Sequence, residues 1–84
     1  MKNKVLICLI VPDIDKKYDV YIPINKKIGN IIALLGRAVQ DLNPGEFTFN
    51  NKIQIYNQKS GMRYDLNQIV KNTDIRNGTG LVLM

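Results

Sequence analysis

Histidine is absent from this sequence of 84 residues, and cysteine occurs once, as Cys8. A Ser-His-Asp triad, a Cys-His dyad and a Cys/His zinc site each need an imidazole, so all three are excluded. One cysteine also excludes a disulfide within the chain. Acidic residues number only seven. Because so few groups remain for acid–base or nucleophilic chemistry, we expect no enzymatic activity, no bound metal and no cofactor.

Long hydrophobic segments are also missing. The longest apolar run covers residues 5–11, whereas a membrane-spanning helix needs about 20 residues. Lys2 and Lys4 precede the run, as in a signal peptide, but Pro12-Asp13 follows where a cleavage site needs small residues. Removal of the run would also cost the domain much of its core. We therefore expect a mature, cytoplasmic protein with no segment inserted into the membrane, in agreement with the lone thiol.

Apolar residues make up 45% of the chain, which is typical of a folded domain and excludes disorder. The length allows one domain over residues 1–84. Lys and Arg exceed Asp and Glu by 12 to 7, for a formal charge of +5. The lysines are spread over predicted turns and are not interleaved with aromatic residues, so we expect no nucleic-acid binding. A solvated surface is the first interpretation of this charge, and a face for an acidic partner protein is the second.

The hydrophobic pattern predicts two strands followed by one helix. Residues 5–11 are apolar on both faces of a strand, residues 18–22 alternate, and the short polar turn between them predicts an antiparallel hairpin. The helix is predicted from apolar residues three and four positions apart, with Leu34 and Ala38 widening the stripe. The residues of this stripe are Ile28, Ile31, Ile32, Leu35, Val39 and Leu42. Asn25 is a candidate N-cap, and residues 43–45 (Asn-Pro-Gly) end the helix.

The second half predicts further strands. Residues 52–56 alternate as a strand, residues 62–64 fit a short strand, residues 65–71 suit a short helical turn, and residues 80–84 form a last strand. The order predicts an α+β fold of the β-grasp (ubiquitin-like) type. It has a mixed sheet of four to five strands with one main helix across one face. Ferredoxin-like and other small α+β folds begin in a similar way and remain alternatives at this point.

Two stretches of the chain resemble the YukD/EsaB family of small bacterial ubiquitin-like proteins. In residues 18–23, Tyr-Asp-Val-Tyr-Ile-Pro leads into Ile28 and the apolar helix, as in that family. Residues 74–83 resemble the family's terminal pattern Ile-x-x-Gly-Asp-x-Leu-x-Leu, with Thr79 in place of the usual Asp. The resemblance implies a non-catalytic accessory protein of the type VII (WXG100, ESX-like) secretion system of Gram-positive bacteria. The implied partner is the cytoplasmic part of a secretion ATPase or another subunit of the machine.

Conjugation and sulfur transfer need a flexible tail that ends in Gly-Gly, whereas this sequence ends Leu-Val-Leu-Met, and Gly78 and Gly80 lie before or at the start of the predicted last strand, where we interpret them as turn residues. We therefore expect neither activity, unless the natural chain continues past Met84 to Gly-Gly. A ubiquitin-like interaction module unrelated to secretion is the other alternative.

The candidate partner site lies on the sheet face that the helix does not cover. The first strand is apolar on both sides, and the sequence does not show whether Val5, Ile7, Leu9 and Val11 or Leu6, Cys8 and Ile10 face the helix. If Leu81 and Leu83 point inward, Val82 and Met84 point outward beside the first strand. We predict an apolar surface for a protein partner or for self-association, unless loops cover it. Its residues are Leu6, Cys8, Ile10, Val82 and Met84.

Two further groups of residues carry weaker signals. Cys8 lies among Ile and Leu, so we expect a packing residue rather than a nucleophile. Asp13, Asp15 and Asp19 surround the first turn, but their spacing is not that of a calcium loop and two lysines interrupt them. We therefore assign these carboxylates to turn formation and solubility.

Overall fold

The computed structural model describes residues 2–84 and contains one mixed sheet of four strands with one α-helix. The strands are β1 (Lys4–Val11), β2 (Lys16–Pro23), β3 (Ile55–Asn57) and β4 (Gly80–Leu83), and the helix is α1 (Ile28–Leu42). The sheet order is β2-β1-β4-β3. β1 is antiparallel to β2 and parallel to β4, and β4 is antiparallel to β3. This is the predicted β-grasp arrangement, with the first and last strands as neighbours.

Helix α1 covers one face of the sheet, and the core lies between them. The period-two pattern of the strands and the three-four pattern of the helix place their apolar residues on facing surfaces. Twelve apolar side chains of the strands and the helix, each with at most 5% exposure, form the centre of this layer: Ile7, Leu9, Val11, Ile22, Ile28, Ile31, Ile32, Leu35, Val39, Ile55, Leu81 and Leu83.

The start of α1 corrects one sequence prediction. Lys27, not Asn25, is the N-cap, and no side chain caps the helix. Backbone carbonyls of a later segment satisfy the first free amides instead: Ile28 N donates to the Gln68 oxygen at 2.8 Å, and Gly29 N donates to the Leu66 oxygen at 3.0 Å. This tertiary contact replaces the local cap that a helix terminus otherwise needs.

The apolar stripe of α1 is narrower than predicted. Leu34 is 56% exposed and Leu42 is 65% exposed, although both were expected to contribute to the buried stripe. On the opposite flank, Gly36 lies so close to the Phe49 ring that a side chain there would collide with it. The loop that carries Phe49 therefore covers only one side of the helix, and no element covers Leu34.

The second half contains less regular structure than predicted. β3 covers three residues, although two backbone hydrogen bonds between Gln54 and Met84 continue its ladder. The predicted strand at residues 62–64 is reduced to a single bridge between Tyr56 and Arg63. Only a 3-10 turn, Val70–Asn72, forms in the predicted helical segment. Upstream of it, the Asp65 carboxylate accepts the Asn67 amide at 2.8 Å, and such a side-chain turn competes with helix formation.

Candidate protein-interaction face

One side of β1 packs against α1, and the other side lies open. Ile7, Leu9 and Val11 are at most 1% exposed and face α1. Leu6 is 37% exposed, and Cys8 and Ile10 are half-buried on the side away from the helix. Neighbouring residues of a strand point to opposite faces, so the whole set follows from the orientation of one residue. The outer set is therefore Leu6, Cys8 and Ile10.

The last strand contributes to the same outer face. Leu81 and Leu83 are fully buried, so Val82 between them points outward and is half-buried. Met84, just beyond β4, is 48% exposed. The register and the alternation of the strands thus place all five residues predicted from the sequence on the outer side of the sheet, along a length of roughly 20 Å from Leu6 to Met84. Whether they bind a partner stays a prediction.

Strand register aligns the centre of this surface in one row. Ile10 lies opposite Val82 in the β1–β4 ladder, and Val82 lies opposite Tyr56 in the β3–β4 ladder. Adjacent strands are about 4.8 Å apart, so these three side chains span about 10 Å across the sheet. Lys17 continues the row beyond Ile10, and Arg63 continues it beyond Tyr56. The row is apolar at its centre and basic at both ends, and we call the surface built on it the outer face.

Two tyrosines complete the outer face and were not predicted to belong to it. Tyr21 lies opposite Leu6 and is 53% exposed, and Tyr56 is half-buried beside Val82. The alternation of residues 18–22 puts Asp19 and Tyr21 on the same side of β2, so the sequence contained the information that Tyr21 faces away from the helix. Tyrosine combines an apolar ring with a polar hydroxyl and is enriched at protein interfaces.

The glycines near the end of the chain occupy the connection into β4. Gly78 has a φ of +89°, and its amide donates to the Leu6 oxygen at 2.8 Å. Gly80 begins β4 and lies against the Gln58 side chain, where a larger residue would collide. Both glycines therefore have structural roles in a tight turn and a close approach.

The acidic side chains and the cysteine of the described residues, 2–84, do not form a cluster that could bind a metal ion. Asp15 has a left-handed φ of 52° in the β1–β2 connection, consistent with a role in the turn. In that same part of the chain, no helix is long and apolar enough to cross a membrane.

One polar cluster lies away from the outer face. The Tyr64 hydroxyl donates to the Asp74 carboxylate at 2.6 Å and accepts the Asn57 side-chain amide at 3.0 Å. Burial, and then the hydrogen bond to Asp74, raise the pKa of Tyr64 to about 12. The hydroxyl therefore stays protonated at neutral pH and ties three segments together, which is a structural role.

Comparison with known proteins places this geometry among ubiquitin-like domains. No protein-family model matches the sequence, and no curated protein matches it significantly. A solved structure described as molecular mimicry of SUMO that promotes DNA repair is 15% identical, with a TM-score of 0.77 over 98% of this chain and 91% of that chain. The EccD5 ubiquitin-like domain from Mycobacterium xenopi is 10% identical, with a TM-score of 0.70 over 96% and 92%.

A third structure is a chain of the MycP5-free ESX-5 inner membrane complex. It is 10% identical, with a TM-score of 0.72 over 98% of this chain and 21% of that chain. Identities this low show a shared fold. The chain therefore has the ubiquitin-like β-grasp fold, and two of the structures similar to it are a ubiquitin-like domain of EccD5 and part of an ESX-5 membrane complex.

Proposed function

We propose that this protein is a non-catalytic, non-conjugated ubiquitin-like accessory or regulatory protein of a type VII (WXG100, ESX-like) secretion system. It acts in the cytoplasm by binding a protein partner through the outer face. The partner is the cytoplasmic part of the secretion ATPase or another subunit of the machine.

The observation that carries this proposal is the row formed by Ile10, Val82 and Tyr56 on the uncovered side of the sheet. A contiguous apolar surface edged by polar groups is typical of a protein interaction site. Lys17 and Arg63 at the two ends of the row favour a partner that presents acidic residues around an apolar centre. The similarity to ESX-5 and EccD5 domains and the sequence resemblance to the YukD/EsaB family support secretion as the setting.

A tagged pull-down from native cytoplasm and solubilised membrane tests the proposal, with two leucine variants alongside the wild type. Leu6→Lys places a charge on the outer face. Leu34→Lys is the matched control, because Leu34 is an exposed leucine on the helix side of the molecule. We expect a secretion ATPase or machine subunit to bind the wild type and Leu34→Lys, and to be lost with Leu6→Lys.

Each other outcome contradicts a separate part of the proposal. Retention of the partner by a folded Leu6→Lys variant excludes the outer face as the site. Specific capture of a protein from outside the secretion machinery favours a general ubiquitin-like interaction module. Covalent adducts through the carboxyl terminus would overturn the non-conjugated assignment.

A further inference from the structure

Cationic residues that are dispersed along the sequence gather at one end of the folded molecule. At this end β1 starts, β2 finishes and α1 begins. Lys4 lies opposite Pro23, and the amide of Ile24 donates to the Asn3 oxygen at 3.0 Å.

A later segment docks at the same place and brings its own cations. The Val70 amide donates to the Lys26 oxygen at 3.0 Å, and the Lys71 amide donates to the Ile24 oxygen at 2.8 Å. Arg76 follows shortly after and is held by hydrogen bonds from its guanidinium to the carbonyls of Thr73 (2.8 Å) and Ile75 (2.7 Å). The cations of this end, all of them exposed, form what we call the basic end: Lys2, Lys4, Lys26, Lys27, Lys71 and Arg76.

The basic end holds half of the 12 cationic residues of the chain and little opposing charge. Asp65 and Asp74 belong to the later segment that docks at this end, and both carboxylates already accept hydrogen bonds within the protein. Asp19 lies opposite Cys8 in the middle of the β1–β2 ladder. The other four acidic residues lie towards the opposite end, in the β1–β2 connection and around the end of α1: Asp13, Asp15, Asp41 and Glu46. The molecule is therefore electrically polarised along its strands.

The lysines of the basic end are free to meet a ligand. Among the lysines of residues 2–84, only Lys16 makes a hydrogen bond through its ammonium group. It donates to the side-chain oxygen of Asn43, at the end of the molecule opposite the basic end. Two cations of the basic end, Lys71 and Arg76, line a shallow recess together with Val5, Ile24 and Ile75. Its positive charge is thus presented around an apolar floor.

We propose that the basic end binds an anionic membrane surface and holds the protein end-on at the bilayer without insertion. Clusters of four to eight cations bind anionic lipid headgroups, with each cation contributing independently. Five of the six cations here are lysines, which are flexible point charges suited to a plane of phosphates rather than to one fixed carboxylate. None of the six has an aromatic neighbour in sequence on which a nucleic-acid base could stack.

The test measures flotation of the purified protein with phosphatidylcholine vesicles that contain or lack phosphatidylglycerol. Lys26→Gln/Lys27→Gln removes two charges from the basic end. Lys17→Gln/Lys52→Gln is the matched control, because it removes the same charge from exposed positions elsewhere. Lys17 pairs with Ile10, six residues along β1 from Lys4, which is roughly 20 Å away.

We expect the wild type to bind only the anionic vesicles and to dissociate as salt rises above about 0.15 M. Lys26→Gln/Lys27→Gln should lower the partition coefficient about thirtyfold, or about fivefold for each lysine. The control double variant should lower it by less than about threefold, since Lys17 and Lys52 are not part of the basic end and Lys17 lies beyond a Debye length from Lys4.

Three results would overturn the proposal: no binding to anionic vesicles at low salt, equal losses in both double variants, or tighter binding to single-stranded DNA than to vesicles. The membrane surface and the proposed partner site are tested separately, because Lys26→Gln/Lys27→Gln leaves Leu6 and the row at Ile10 unchanged and should keep the partner in detergent extracts. Leu6→Lys adds a cation two residues from Lys4 on the same side of β1, so it should strengthen vesicle binding while it loses the partner.

Discussion

Leu6 and Leu9 provide an internal test of which side of β1 faces the core. They are the same residue type on the same strand, but Leu9 is 1% exposed and Leu6 is 37% exposed. Truncation to alanine removes about 2.4 kcal/mol of transfer free energy at about 0.8 kcal/mol per methylene. At Leu9 the core cannot fill the space, and the cavity brings the total to about 3–4 kcal/mol. At Leu6 part of the side-chain surface is already exposed to solvent, and water can occupy the space left by truncation. We therefore expect the free energy of unfolding to fall by only about 1 kcal/mol.

Urea unfolding followed by circular dichroism measures both losses. A domain of this length has a free energy of unfolding of about 4–13 kcal/mol, so Leu9→Ala consumes a large part of it and Leu6→Ala does not. With an m-value of about 1 kcal/mol/M, the unfolding midpoints of the two variants should differ by about 2–3 M, provided the m-values agree. Equal losses, or a larger loss at Leu6, would refute the orientation of β1. If the loss at Leu6 grew with protein concentration, the outer face would instead be buried in a self-associated form.

Two further perturbations test polar contacts in the protein. Asn43 is buried just beyond the end of α1, where it accepts a hydrogen bond from Lys16 at 2.6 Å and donates one to the Tyr18 hydroxyl at 2.9 Å. Asn43→Ala should lower the free energy of unfolding in urea by about 1–3 kcal/mol. An unchanged unfolding midpoint would show that these hydrogen bonds contribute no net stability. Because the pKa of Tyr64 is raised from 10 to about 12, the folded state favours the neutral hydroxyl, and wild-type stability should fall as pH rises between these values. In Tyr64→Phe, which also leaves Asp74 without its donor, the free energy of unfolding should fall less steeply between pH 10 and pH 12 than in the wild type. An identical pH dependence would contradict the raised pKa of Tyr64.

The main elements of the fold could be predicted from local pattern. The apolar run at residues 5–11, the alternation at residues 18–22 and the three-four spacing from Ile28 onward correspond to β1, β2 and α1. These signals are strong because each element buries one continuous surface, and burial imposes a period on the sequence. Asn43 and the residues after it also ended the helix where predicted.

The elements that were misjudged depend on contacts between distant segments. The cap of α1 comes from the backbone at Gln68 and Leu66, about 40 residues away, and no local signal at Asn25 or Lys27 shows it. The exposure of Leu34 depends on which flank of the helix the Phe49 loop covers. Propensity describes a residue and its neighbours, whereas these outcomes depend on where another segment docks.

The outer face and the basic end likewise depend partly on local sequence and partly on contacts between distant segments. Residue order alone is enough to show that β1 is apolar on both sides, that Val82 alternates with Leu81 and Leu83, and that the chain is basic. Strand pairing and helix packing are needed to show which side of β1 is open, that Tyr56 joins Ile10 and Val82 in one row, and that half of the cations meet at one end. Period-two alternation defines two faces but leaves their environment open, and charges distant along the chain become neighbours only when the strands pair.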